Sequence, residues 1–255
     1  MAFTPRTWGH QHHRLAPRRQ PPPAAGRLPR LEVLEDRTVL SPLIVTNNTD
    51  NPKLGSGSLR ATIAAATPGA TIVFAPNVHN ITLTSELIIA KNLDIEGPGA
   101  NGLTISGGGV SRVFEISGGI VTIAGLTITD GLTTSTYTIS EQGVVTSGEL
   151  GGGGILNDAG ATLNLTRCSV VNNKAIADTG FDVFGGGLLN LGTANVTSST
   201  FTGNFALGGL AGAGGKDGQG SGGGLYITSG ADVVLSPKTK VNGNRASTSD
   251  DNIFP

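Results

Sequence analysis

From residue 70 onward, apolar and polar residues alternate in short runs: TIVFA, ITLTSEL, LIIA, LDIEG, LTISG, VFEIS, VTIAG and LTITDG. Val, Ile, Leu and Thr recur at a period of two, and Gly, Pro and Asn separate the runs. This is the pattern of short strands with one buried face, joined by turns. Ahead of them, residues 43–46 read as an edge strand and 58–66 as a short helix with Ser58 as its N-cap. An antiparallel sandwich shows the same alternation, so the repeat length has to separate the alternatives.

Three later segments align: GGGILNDAGATLNLTRCSVVNN, GGGLLNLGTANVTSSTFTGN and GGGLYITSGADVVLSPKTKVNGN, beginning at Gly152, Gly185 and Gly222. From first Gly to final Asn (Asn173, Asn204, Asn244) the steps are 21, 19 and 22 residues. The half-unit VTIAGLTITDG aligns with LNLTRCSVVNN. The stretches that follow the units, 132–151, 174–184 and 205–221, hold 20, 11 and 17 residues. A nearly fixed core with one freely varying junction is the signature of a solenoid, whose coil must close at constant circumference while one corner extrudes any loop. The expected fold is all-β, a right-handed parallel β-helix of roughly six or seven coils stacked at ~4.8 Å. A short helix within 41–70 would cap its N-terminal end, with the β-helix over 71–255.

Equivalent positions form columns. Leu126, Cys168, Ser199 and Thr239 share one strand position, and Ile128, Val170, Phe201 and Val241 the next inward one. Asn173, Asn204 and Asn244 recur at the following turn, where stacked amides can hydrogen-bond along the axis. Cys168 reads as a small core residue, since no His follows it in the chain.

The GGG-Ile/Leu pieces, with Phe201–Asn204 as Phe-x-x-Asn, resemble the GGA-I and FxxN repeats of polymorphic outer-membrane proteins. Here Gly stands for the family's Ala, and Val170 and Val241 for its Phe. GSLRATIAAATPGATIVF, at 57–74, resembles the CSLREA capping region of bacterial surface β-helix proteins, with Ser58, Leu59, Arg60 and Ile63 matching and Gly57 and Ala61 replacing its Cys and Glu. LEVLEDR, at 31–37, resembles an LExLEDR segment near the start of exported bacterial proteins. These resemblances imply a pectin-lyase-like solenoid and an exported, cell-surface or extracellular location. They imply adhesion more than catalysis.

Composition adds a second region. Residues 1–40 hold six of the thirteen Pro, seven Arg and three acids, whereas 41–255 carry ten basic and fifteen acidic residues. The first forty read as a disordered basic arm with no run of apolar residues long enough for an ordinary signal peptide. His10, His12 and His13 lie there without Cys or carboxylate beside them and read as a solvated tail rather than a metal site. The mildly acidic body with scattered cations argues against nucleic acid, and no apolar stretch reaches the length of a membrane-spanning helix.

Catalysis on such a scaffold needs clustered carboxylates beside an Arg or Lys, with Ca²⁺ as the cofactor of a lyase. The candidates are Asp94, Glu96 and Glu115 with Arg112. Their spacing does not set three acids on one column, and they read as solvated charges. No other metal or cofactor is expected. An NTD triplet at 48–50 reads as an Asx turn. Because the three loops leave one corner, a binding face of Tyr137, Asp178, Phe181, Asp182 and Asp217 is expected on one flank, for a glycan or a surface protein. The expectation is therefore a non-enzymatic interaction or adhesion module. The alternatives are a polysaccharide lyase or hydrolase on the same scaffold, and a truncated fragment of a longer surface protein. The last rests on STSDDNIFP after Ala246, too short for a capping helix: Ile253 and Phe254 would fold over the open end, or the end would associate.

Overall fold

The computed structural model describes residues 41–135, 137–139, 145–147 and 151–255. The chain divides into two units, Met1–Thr38 and Val39–Pro255. The basic arm expected over 1–40, its three His included, lies outside the described residues.

The second unit is an all-β parallel solenoid. Leu93–Glu96 leads to Thr104–Ser106 and then Phe114–Ile116, and the chain returns as Ile120–Ala124 beside Leu93–Glu96, with Leu93 opposite Val121 and Ile95 opposite Ile123. Each coil therefore has three sides, and successive coils build three parallel sheets. Sheet I has seven strands, from Leu43–Val45 to Asp232–Leu235; sheet II has six, from Asn80–Thr82 to Lys240–Val241; sheet III has six, from Leu87–Ile89 to Ile253–Phe254.

Alternation within each strand fills the interior. Sheet II sends inward the column Ile81, Ile105, Ile128, Val170, Phe201, Val241, each opposite the next in register. Sheet I sends Ile72, Ile95, Ile123, Leu165 and Val196, all buried. Stacked side chains of similar size fill the core, and each buried Ile or Leu contributes about 1.5–3 kcal/mol relative to its exposed state. The column of Leu126, Cys168, Ser199 and Thr239 sits one residue before the sheet II strands, at the corner rather than within a strand. There the Cys168 N–H donates to Ser199 Oγ at 3.0 Å.

The stretches expected to be loops begin as strands. Leu132–Ser135, Lys174–Ala177, Phe205–Leu207 and Arg245–Ala246 pair in parallel as sheet IV. Val183–Phe184 and Gly220–Ser221 form a further parallel pair. Ala175, Ala177, Val183 and Ala206 make a small core of their own, with Phe181 and Ala246 packed on it.

The glycine triplets follow from this crowding. Gly152, Gly185 and Gly222 each have φ between 62° and 69°, the left-handed region an L side chain resists. A Cβ on the second glycine would lie 2.2 Å from the Lys174 carbonyl oxygen, for Gly153, or from that of Arg245, for Gly223. A Cβ on the third would lie 2.9 Å from Asn173 Cγ, for Gly154, or 2.7 Å from Asn244 Nδ2, for Gly224. The third glycine, where the resembling repeats carry Ala, makes room for the Asn column.

The two ends of the interior differ. The helix Leu59–Ala65 buries Leu59, Ala61 and Ile63, and the Ala61 N–H donates to Ser58 Oγ at 3.1 Å. At the other end Ile253–Phe254 does not fold across the opening; it pairs in parallel with Leu225–Ile227 and lengthens sheet III.

Candidate functional site

The corner after sheet II is where the chain leaves the common coil, and a chain of amides holds it. Asn173 Nδ2 donates to Asn204 Oδ1 at 2.9 Å, and Asn204 Nδ2 to Asn244 Oδ1 at 2.9 Å. Asn244 Nδ2 continues to Asn252 Oδ1 at 3.2 Å, and at the opposite end Asn173 Oδ1 accepts from the Gly131 N–H at 2.9 Å. Each of the three repeat amides also donates to a sheet II carbonyl, that of Ile128, Val170 or Phe201. All three are buried. Burying amides is favourable only when their donors and acceptors are met, and here the column meets them coil by coil. A second buried pair, Asn157 and Asn190, repeats the amide-to-amide bond on sheet III, with Asn157 Nδ2 donating to Asn190 Oδ1 at 2.6 Å, but there Asn157 Oδ1 accepts no hydrogen bond from the described residues. The sequence reading missed this pair, although LN at 156–157 and 189–190 follows the first two glycine triplets.

Immediately after each ladder Asn stands Lys174, Phe205 or Arg245, with Leu132 in the coil before, all in register. Beside this column run two open recesses. One, of about 180 Å³, is lined by Asp130, Leu132, Asn172, Lys174 and Ile176 among others. The other, of about 210 Å³, is lined by Lys174, Gly203, Asn204, Phe205, Gly243 and Arg245. Lys174 lines both, so they lie side by side along the corner groove. Extending the repeat alignment by a single residue past the Asn would have shown NK, NF and NR and identified this column.

The expected loop-face residues have definite places. Asp182 Oδ1 accepts from the Gln219 N–H and Asp217 Oδ1 from the Ala211 N–H, each at 2.6 Å; Asp178 Oδ1 accepts from the Thr179 N–H at 2.7 Å. These acids organise the loops. Phe181 packs on the small core, and Tyr137 lies on the strand Tyr137–Ile139, paired antiparallel with Val145–Ser147. Beyond them the excursion 210–217 is closed at its base by the Gly218 N–H donating to the Gly209 carbonyl, and carries Leu210 at 75% exposure. Phe184 lies tilted against Tyr226, which stacks on Phe254, with ring centroids 4.5 and 4.6 Å apart. Burial and then the nearby Asp182 charge push the Tyr226 hydroxyl up from its ordinary value.

The weak catalytic candidates separate into two places. Asp94 and Glu96 lie on a sheet I strand, whereas Glu115 lies on sheet III. Arg112 is buried; its guanidinium meets Glu86 at 2.6 Å and Glu115 at 3.4 Å and donates to the Gly151 and Gly152 carbonyls. It joins sheet III to the first glycine triplet. Among the described residues, no group of three or more His, Cys, Asp or Glu could hold a metal ion.

The NTD triplet at 48–50 is not the expected Asx turn. That turn is made one residue earlier, by Asn47, which accepts from the Thr49 N–H. Asp50 instead takes Arg60 side-on at 2.7 and 2.9 Å and accepts from the Thr84 N–H and hydroxyl, both at 2.7 Å. Burial pushes its carboxyl up, but these bonds and the Arg60 charge outweigh that and hold it below the ordinary 3.8.

No family model matches the chain, no curated protein matches its sequence and no solved structure matches its fold.

Proposed function

We propose that the protein is an exported cell-surface or extracellular interaction module, non-enzymatic, which engages its partner through the flank built by 132–151, 174–184 and 205–221. On this reading the solenoid is a right-handed β-helix, the hand that parallel crossovers adopt in about 98% of cases. Its cap and repeats are those of the bacterial surface proteins they resemble. The observation that carries the reading is that insertions from successive coils pair with one another into sheet IV and a small core on one flank. Insertions merely tolerated at a corner have no need to be ordered against each other, whereas a rigid flank with protruding loops suits recognition.

The test compares the full chain with a variant in which 210–217 are replaced by two glycines, both labelled and applied to intact cells and to glycan and protein arrays. Binding that falls at least about tenfold in the variant, with unchanged circular dichroism, supports the reading. Equal binding overturns it. In parallel, acidic and neutral polysaccharides incubated with and without Ca²⁺ should remain intact; shortened or unsaturated products would make the protein a lyase or hydrolase.

A further inference from the structure

We propose that the corner groove between sheets II and IV binds an extended acidic polysaccharide that carries its negative charge on alternate sugars. The proposal rests on the reading of this flank as the binding face and names its ligand class. Leu132, Lys174, Phe205 and Arg245 form one column, a residue per coil. The next residues, Ala175, Ala206 and Ala246, turn the other way onto the small core. Along the solenoid axis the outward column therefore reads apolar, cation, aromatic, cation. Among the described residues neither Lys174 nor Arg245 has an ion pair, and both are exposed. The floor beside them is Gly203 and Gly243, which add no side chain of their own, and the Asn172 side chain of the preceding coil borders Gly203.

The spacing selects the ligand. Coils stack at ~4.8 Å, which sets Lys174 and Arg245 roughly 9.6 Å apart with Phe205 midway. An extended glycan chain rises by close to one coil spacing per sugar, so charged sugars would meet the two cations and a neutral ring would lie on the Phe205 face. A further neutral sugar would reach Leu132, where the exposed Asp130 carboxylate can accept its hydroxyl. A strand-like acidic peptide puts same-face side chains about 6.6 Å apart and misses this spacing. A polyproline II peptide repeats at roughly 9.3 Å, but such peptides dock in grooves lined by several aromatic rings, and among the described residues Phe205 is the only ring lining this one.

Binding isotherms of the full chain test this with hyaluronan oligosaccharides (a uronate on alternate sugars), polygalacturonate (on every sugar), dextran (on none) and polyglutamate. Hyaluronan should bind best, more weakly as salt rises. Lys174→Gln and Arg245→Gln should each weaken it about tenfold. Phe205→Ala should weaken it too, Lys174→Arg should retain it, and Lys238→Gln, on another corner, should leave it unchanged. The altered cations are exposed, so unchanged unfolding curves separate lost binding from lost fold. Dextran or polyglutamate binding as tightly as hyaluronan, or no effect of Lys174→Gln and Arg245→Gln, overturns the proposal. If hyaluronan fails to bind while replacement of 210–217 still abolishes cell binding, the groove falls and the flank reading stands. If hyaluronan binding depends on both cations while that replacement changes nothing, the groove stands and the loop reading falls.

Discussion

The amide column shows how much depends on single side chains in this molecule. Asn204 satisfies Asn173 on one side and is satisfied by Asn244 on the other, all within the buried corner. Asn204→Ala leaves several buried donors and acceptors unmet and should cost about 3 kcal/mol in urea unfolding. Asn195→Ala, on the outward Asn164–Asn195 pair at 2.9 Å, should cost less than about 1 kcal/mol, because water replaces the lost bond. Cys168 is buried, and burial pushes its thiol up to about 11. A thiol reagent at pH 8 should leave it untouched in the folded chain and titrate it once denatured. Asp50 gives a pH signature. Its folded value lies below its ordinary 3.8, so its contribution is complete above that value and is lost as pH falls through the lower folded one. Amide exchange over the helix Leu59–Ala65 should therefore rise on acidification below pH 3.8 before that of the coils. Asp50→Asn should show the faster exchange at neutral pH and lose the acid step.

At the level of elements, the glycine triplet is a structural unit with three different reasons in three successive positions. The first needs a left-handed backbone, the second a passing sheet IV strand, the third the amide column. A Cβ on Gly187 would meet the Gly224 carbonyl oxygen at 2.5 Å and Asn204 Cγ at 3.0 Å, both fixed by the neighbouring coil. Gly187→Ala should therefore destabilise by about 3 kcal/mol or prevent folding. Gly160→Ala, where nothing lies within 4 Å and only the positive φ of 81° resists, should cost about 1 kcal/mol. Thermal unfolding of the two variants side by side distinguishes a clash from a conformational cost. The strands themselves were legible because one face is buried everywhere: a period of two then has to appear in the sequence. Sheet IV was not, since KAIA and FAL are short, and their pairing comes from neighbouring coils rather than from their own pattern.

For the molecule as a whole, stacking turns sequence positions far apart into neighbours one coil away. That is why Lys174 and Arg245, 71 residues apart, line one groove, while Arg112 and Asp94, 18 apart, serve different sheets. The sequence alone determined the class of fold, the coil length, the inward column of Ile128, Val170, Phe201 and Val241 and the recurrence of Asn173, Asn204 and Asn244. These are periodic quantities, and constant circumference imposes them on every repeat. Only the tertiary structure decided that the long insertions begin as strands of a fourth sheet. It also decided that Asp50 locks the helical cap, that Arg112 is committed to Glu86, Glu115 and two glycine carbonyls, and that Ile253–Phe254 adds a strand to sheet III instead of covering the end. Each depends on which single residue faces which across coils, and a contact made once leaves no period to read.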